Sequence, residues 1–376
     1  MKIWVCVLMA WSLPSLASVQ APLFPEDGSQ RINSWFYSKY EVEKSYSEPD
    51  SFEAVKRAFA KHAVKVVGVD KKFDWLQDIL FFDQRGNHLV LKDPGHGESF
   101  YGGLTGGVFS YEGPGYFDLK MFRAKDMPFK FVNSIPLKYS LFEGGGLISG
   151  KFKNSEDYVI VTHDRFQSVK YFIESQLQRE ISFQEAKEIV AKDLKLFAKN
   201  LFVLPSKVSG RHLDLYIKAL PGGVLLIDRD EDEKQDFLES LYTETKDQSL
   251  LSFLEYYRTK RDHFYNFSLP IAVEFLSEHF EIHRLYGEFR NIERISGYAR
   301  VAKNINFFNG VSGVDPYGKS FYITNRAEAS KILESQFSNA LSAFGFEESN
   351  IHYVGRYYLG GAGIDCLGVP SPLKFN

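Results

Sequence analysis

The feature that most restricts the folding of this chain is a recurring order of elements: an amphipathic helix, a short apolar strand, a turn carrying an acidic residue, and a second strand. Ser182 to Asn200 is the clearest helical stretch, with Phe183, Ala186, Ile189, Val190, Leu194 and Phe197 on one face. Ser182 is its expected N-cap and Glu185 completes a capping box, while Leu201 to Leu204 follows as a strand. The same order places a helix over Ser51 to His62, capped by Ser51, before a strand at Val64 to Val69, and a helix over Ala327 to Phe344 before Tyr353 to Leu359. Helices alternating with short buried strands indicate an α/β fold.

The acid-bearing turns carry the chemistry. Phe73 to Phe82 reads as a core strand with Asp78 inside it, a carboxylate that is costly to bury unless a cation or hydrogen-bond donors meet it. Gly86-Asn87 turns the chain into a strand at His88 to Leu91, and Pro94 to Gly115 is a glycine-rich loop. Leu141 to Ile148 places Glu143 before three glycines, in a hairpin with Tyr158 to Thr162. Gly210 to Ile217 reads as a strand in which His212 and Asp214, two residues apart, share one face. Val224 to Ile227 closes that hairpin, Leu250 to Arg261 and Ala272 to His279 are further helices, and Arg300 to Phe308 is a strand bearing Asn304.

Near the end stands Gly360-Gly361-Ala362-Gly363-Ile364-Asp365-Cys366, followed by Pro370 and Pro372, which are expected to end regular structure. There are only two cysteines, and Cys6 lies in a segment that reads as a removable leader. Met1 to Ala17 has Lys2, an apolar run from Ile3 to Leu13, Pro14, and small residues before a cut after Ala17, the pattern of a secretory signal too short to span a bilayer. The mature protein would then hold one thiol, Cys366, and be secreted or periplasmic. The expected organisation is a signal over 1–17, a lead-in over 18–49 with a strand near Trp35 to Tyr40, and a catalytic domain over 50–376.

With 376 residues, 44% hydrophobic and 16% aromatic, the chain can bury a large core. Its formal charge of -3, one unit more negative without Lys2, argues against a nucleic-acid partner, and no later segment is long and apolar enough to span a membrane. Asp228, Asp230, Asp232, Asp236 and Glu239 match positions of a calcium-binding hand, but Glu233 stands where its sharp-turn glycine belongs, so a solvated acidic loop is expected. No metal or cofactor is expected, and calcium is the alternative this spacing raises.

Trp75-Leu76-Gln77-Asp78, Glu143-Gly144-Gly145, His212-Leu213-Asp214 and Gly363-Ile364-Asp365-Cys366, in this order and evenly spread, resemble the guanidino-group-modifying enzymes of the pentein superfamily. The resemblance covers about residues 50 to 376 and implies a five-bladed α/β propeller of repeated ββαβ units. The first motif, Asn304 before Gly313-Val314-Asp315-Pro316-Tyr317-Gly318, and the tail Pro372-Leu373-Lys374-Phe375 are most similar to the catalytic domain of protein-arginine deiminases. Glu143-Gly144-Gly145 is closer to agmatine and free-arginine deiminases.

What the resemblance implies is a hydrolase acting on C–N bonds of amidines. Asp78 and Asp214 grip the planar guanidinium fork, the Cys366 thiolate attacks its central carbon, and a thiouronium forms as ammonia leaves. His212 protonates the ammonia and later deprotonates the attacking water, with Glu143 orienting it. Trp75, Glu143 and Asn304 join Asp78 and Asp214 in binding substrate. The first expectation is a secreted deiminase acting on arginine in a protein or peptide; the alternatives are a small-guanidine deiminase and a silent guanidinium-binding protein. Ile79 and Phe81 stand where calcium-dependent members carry acids, Lys92 to His96 lacks the family's arginine, and Asp365 replaces a common histidine beside the nucleophile, where its charge would raise the thiol pKa.

Overall fold

Short apolar runs joined by tight turns fold as antiparallel hairpins, and five antiparallel pairs here gain a third, parallel strand after a longer excursion of the chain. The computed structural model describes residues 20–39, 49–69, 76–77, 80–92, 99–101, 122–123, 134–140, 142, 144–208, 212–260, 262–295, 298–326, 330–354 and 364–374. The chain opens with β1 (Ser34–Ser38), α1 (Pro49–Lys61) and β2 (Lys65–Val69), the two strands pairing in parallel. A hairpin of β3 (Phe81–Phe82) and β4 (His88–Lys92) is widened by β5 (Ser99–Tyr101) and β6 (Phe122–Arg123), and β7 (Ser134–Leu137) joins β4 in parallel. Then β8 (Leu147–Lys151) and β9 (Asp157–Val161) form a hairpin, and α2 (His163–Leu177) and α3 (Phe183–Asp193) lead to β10 (Leu201–Val203) beside β9.

The order repeats in β11 (Ile217–Leu220) and β12 (Val224–Asp228), followed by α4 (Glu231–Thr245), α5 (Leu251–Thr259) and α6 (Leu269–Ser277), then β13 (Glu281–Leu285) parallel to β12. After the long hairpin of β14 (Glu288–Ile295) and β15 (Tyr298–Asn306), it repeats in β16 (Val311–Val314), β17 (Ser320–Asn325), α7 (Lys331–Ser342) and β18 (Ile351–Val354). Finally α8 (Ile364–Leu367) leads into β19 (Gly368–Ser371), antiparallel to β1. Among the described residues, one unit of two antiparallel strands and a parallel third thus recurs five times, the last unit, β19-β1-β2, joining both ends of the chain.

Apolar side chains bind each unit to the next. Leu89, Ile135 and Leu137 pack with Val159, Val161 and Leu201; Ile148 and Phe202 pack with Ile217 and Leu225; Leu220 and Leu226 share a core with Tyr322 and Ile351. Trp35, Phe36 and Val69 do so with Phe321 and Ile323, and Phe36 stacks on Phe82 at 5.3 Å. Burial of this kind is the main drive to fold.

The segment expected as a lead-in is threaded through this core. Phe24 N–H donates to Phe82 O at 2.9 Å, Glu26 N–H to Ser149 O at 3.0 Å, and Lys65 N–H to Asn33 O at 3.0 Å, so residues 24–33 touch β3, β8 and β2 in turn. Gly28 turns there at φ +76°, where a Cβ would stand 3.0 Å from Ser312 Cβ. Among the described residues, no helix is long and apolar enough to cross a membrane. The signal expected over 1–17 lies outside the described residues.

Several local expectations are corrected. The helix from Ser182 stops at Asp193, whose carboxylate accepts the backbone N–H groups of Lys138, Tyr139 and Ser140, and Lys195 then turns left-handed at φ 60°. Ser182 does cap it, accepting from Glu185 N–H at 3.1 Å, but Glu185 pairs with Arg179 rather than closing a capping box. The helix before β2 starts at Pro49, so Ser51 lies inside its first turn. Helix α2 was not read from the sequence, and Pro370 lies within β19, opposite Trp35.

The acidic loop is a helix start: Asp230 and Glu233 form the capping box of α4, and Asp228 is buried against Lys234. Of the strand expected over Phe73 to Phe82, Phe81–Phe82 is a strand among the described residues, while Leu80 N–H donates to Leu76 O at 3.0 Å, outside any strand pairing.

Candidate functional site

His212 and Asp214 do not lie on a strand. His212 is the N-cap of a 3-10 turn, Leu213–Leu215, so the two side chains are set by a tight turn and not by the two-residue pleat. His212 is half-buried and Asp214 buried at 4% exposure. Asn309 Nδ2 donates to Asp214 Oδ2 at 2.8 Å, Asn309 N–H to Asn306 Oδ1 at 3.1 Å, and Asn306 Nδ2 to Leu215 O at 2.9 Å. The segment between β15 and β16 therefore fixes both the turn and one carboxylate oxygen. A charged acceptor held this way keeps its orientation when a cation arrives.

Glycines weld this turn to the other motifs. A Cβ on Gly145 would stand 2.1 Å from His212 Nδ1, and a Cβ on Gly144 would stand 2.4 Å from Gln77 O. Real side chains do not approach that closely, so only glycine admits these contacts. Residues of the first three motifs thereby meet at one place: Gln77, Gly144 and Gly145, and His212.

The fourth motif joins them from α8. Asp365 is 4% exposed, and burial pushes its carboxyl up to about 6, with Asp214 raising it further and Lys218 pulling it down. Glu26 is pushed well up by burial, then by Asp365 and Asp214, against Lys218 and a backbone bond from Ser149. Lys218, itself 4% exposed, donates from Nζ to Gly310 O at 2.6 Å. The charge of Asp365, expected to act on the neighbouring thiol, is thus partly offset by a buried ammonium. A cavity of about 20 Å³ lies beside it, with Glu26, Gln77, Ser149 and Asp365 among its lining residues.

Of the residues expected to form the site, His212 and Asp214 are described in full. Cys366 lies in α8 and Asn304 in β15 opposite Arg290, but their side chains are outside the described residues. Trp75, Asp78 and Glu143 also lie outside the described residues, each beside a described one: Leu76, Gln77 and Gly144. Sequence reasoning missed Glu26, Lys218, Asn306 and Asn309. The one signal for Lys218 was a lysine in the apolar run Tyr216-Ile217-Lys218-Ala219-Leu220, where a charge needs a buried partner.

No protein-family model matches the chain, and no curated protein sequence does. Among solved structures, agmatine deiminase of Enterococcus faecalis is similar, with 12% sequence identity and a TM-score of 0.51, covering 95% of this chain and 96% of that one. Agmatine deiminase of C. jejuni has 12% identity and a TM-score of 0.49, covering 94% and 97%. The former likeness extends over nearly all of both chains and is one of fold: the chain has an α/β fold like that of this agmatine deiminase.

Proposed function

We propose that the chain is a small-guanidine deiminase, converting an agmatine-like or arginine-like guanidinium to a ureido product and ammonia. The observation that carries this reading is a run of close approaches among the motifs: Gly144 to Gln77, Gly145 to His212, and the Asp214 charge acting on buried Asp365. The small-guanidine reading moves ahead of the protein-arginine reading expected first, because an agmatine deiminase is similar in fold over 95% of the chain. Glu143-Gly144-Gly145 points the same way. The five three-stranded units are proposed to close as a five-bladed propeller around the site, and export is proposed from the leader-like residues 1–17.

In this mechanism Asp78 and Asp214 accept the N–H fork of the guanidinium, and Asn309 keeps Asp214 in place. The Cys366 sulfur bonds to the guanidinium carbon, giving a neutral tetrahedral adduct. His212 gives a proton to one nitrogen, the C–N bond breaks, ammonia leaves, and a cationic thiouronium remains on the sulfur. His212 then takes one proton from water, whose oxygen adds to the same carbon; as the C–S bond breaks the thiolate leaves and the oxygen's second proton passes to solvent, completing the neutral ureido product. Trp75, Glu143 and Asn304 are proposed to line the substrate, Glu143 also orienting His212.

The test is ureido-product formation from agmatine, free arginine and an arginine-containing peptide, each with and without a chelator. Turnover of a small guanidine is expected. Faster turnover of the peptide would restore the protein-arginine reading, and turnover of none would leave a silent guanidinium-binding protein.

A further inference from the structure

We propose that the small cavity between Glu26, Gln77 and Asp365 receives one molecule of ammonia, the leaving group of the reaction, and holds it as ammonium. The inference rests on the deiminase reading and adds a product site to it. At about 20 Å³ the cavity has room for a molecule of the size of water or ammonia.

The polar lining suits neutral ammonia as it arrives, a molecule that accepts one hydrogen bond and donates several. Gln77 is 5% exposed and lines the cavity, and its Nε2 has no hydrogen-bond partner among the described residues. A buried donor left in that state costs about 1–3 kcal/mol, so a ligand that accepts from it is favoured. The lone pair of ammonia can do so, while its N–H groups reach the carboxyl groups of Glu26 and Asp365. Ser149 lines the same cavity; its Oγ donates to Phe24 O at 2.9 Å, which leaves its lone pairs to accept.

The location fits a leaving group. Gln77 precedes Asp78 and Asp365 precedes Cys366, so two walls of the cavity come from the neighbours of a gripping carboxylate and the nucleophile. Glu26 arrives from the threaded N-terminal segment, pinned by its own N–H to Ser149 O at 3.0 Å and by Ser312 Oγ donating to Glu26 O at 3.0 Å.

The proton balance also closes. Burial and then the Asp365 charge raise the Glu26 carboxyl, and burial raises Asp365 beside it, so this desolvated place favours a protonated carboxyl over two carboxylates. Ammonia entering the cavity takes that proton: one carboxyl O–H bond breaks, one N–H bond forms, and the products are ammonium and a second carboxylate. The Gln77 amide can then turn Oε1 to the cation, and Lys218, bonded to Gly310 O, limits the negative charge that remains. Ammonia converted to ammonium next to the site cannot attack the thiouronium, which favours the forward reaction.

The experiment follows the thermal unfolding midpoint of the whole protein in ammonium, sodium and tetramethylammonium chlorides at constant ionic strength. A saturable rise specific to ammonium is expected in the wild type. In Glu26→Gln the ammonium concentration for half of that effect should increase at least about tenfold, as for a lost charge-assisted bond. Inhibition of turnover by added ammonium should weaken in parallel. If Glu26→Gln does not fold, the wild-type comparison of ammonium with tetramethylammonium, too large for the cavity, decides alone. Equal midpoints in all three salts, or an unchanged response in the variant, would overturn the proposal and leave water as the occupant. Ammonium-specific stabilisation without turnover of any guanidine would support the ion site while ending the deiminase reading; turnover without that stabilisation would do the reverse.

Discussion

Gly145 lies so close to His212 that a Cβ on the glycine would stand 2.1 Å from the imidazole Nδ1. This contact ties the glycine turn before β8 to the 3-10 turn before β11, and so couples two units of the fold at the proposed acid–base residue. The imidazole is set by the absence of a side chain opposite it.

Gly145→Ala should therefore move His212 without altering any polar group. An ångström of misplacement at a reacting residue can cost on the order of 10²-fold in rate, and overpacking costs about 1–3 kcal/mol of stability. Steady-state kinetics and urea unfolding on the same preparation check both. A variant that kept wild-type kcat would show that His212 does not act where it stands.

Cys366→Ala should abolish ureido formation and leave a folded protein that still binds guanidinium compounds, measured by calorimetry with a slow substrate. Asp214→Asn, which keeps shape but removes a charge, should weaken guanidinium binding at least about tenfold, since a charge-assisted bond is worth roughly 1.5–3 kcal/mol. Substantial turnover in the first variant, or unchanged binding in the second, would contradict the roles proposed here.

Much of the architecture could be read from periodicity, because a helix with one apolar face and a short buried strand leave distinct patterns, as Ser182 to Asp193 and Val224 to Asp228 do. What escaped reading is what depends on distant partners. The stop at Asp193 is made by backbone donors some fifty residues earlier, and the turn at Leu213–Leu215 is held by Asn306 and Asn309 from the next unit. Glu26 sits in a polar stretch with no periodicity, so nothing local revealed its place beside Asp365. The motifs were legible as an ordered set, whereas the cations and amides that hold them were not.

Removing calcium should not change activity. The acidic stretch that invited a calcium reading is used for capping and ion pairing: Asp230 accepts from Glu233 N–H at 2.9 Å, and Glu233 pairs with Arg229 and Arg284. Chelator that abolished turnover, with recovery on adding calcium, would require a metal elsewhere.

Stability should fall on mild acidification through His62 and His352. Their Nε2 atoms lie 2.8 Å apart, so one must donate and the other accept, and a second proton on the pair would set two donors against each other. Burial lowers both, His352 to about 4 with His62 and Lys61 adding to the effect, while Asp315, 3.6 Å from His62 Nδ1, partly opposes the shift on His62. Folded values below the ordinary histidine value of about 6.5 mean that the unfolded chain binds more protons between the two. The contribution is complete above about pH 6.5 and is lost as pH falls towards 4. Urea midpoints at pH 7 and pH 5 should differ more in the wild type than in His352→Gln, and equal differences would remove the pair as the cause.

The last prediction concerns Lys234, buried at 1% exposure and paired with Asp228 at 0%. Asp228 also accepts the Gly287 N–H at 3.1 Å, and burial raises its carboxyl to about 6, with Lys234 pulling down and Glu288 pushing up. Lys234→Met would leave that carboxylate beside Glu288 without its nearest cation. Breaking one side of a buried pair costs about 3–5 kcal/mol, whereas replacing both sides with groups of similar shape is often near neutral. Lys234→Met alone should therefore lower stability strongly, and the double variant Asp228→Asn with Lys234→Met should recover most of the loss at neutral pH. Without Lys234 to pull it down, the Asp228 carboxyl should rise further, so the single variant should also gain stability as pH falls from neutral, where protonation removes the stranded charge. A double variant as unstable as the single one would mean that Lys234 acts through its packing and its position 4.1 Å from the Tyr265 ring, and not through Asp228.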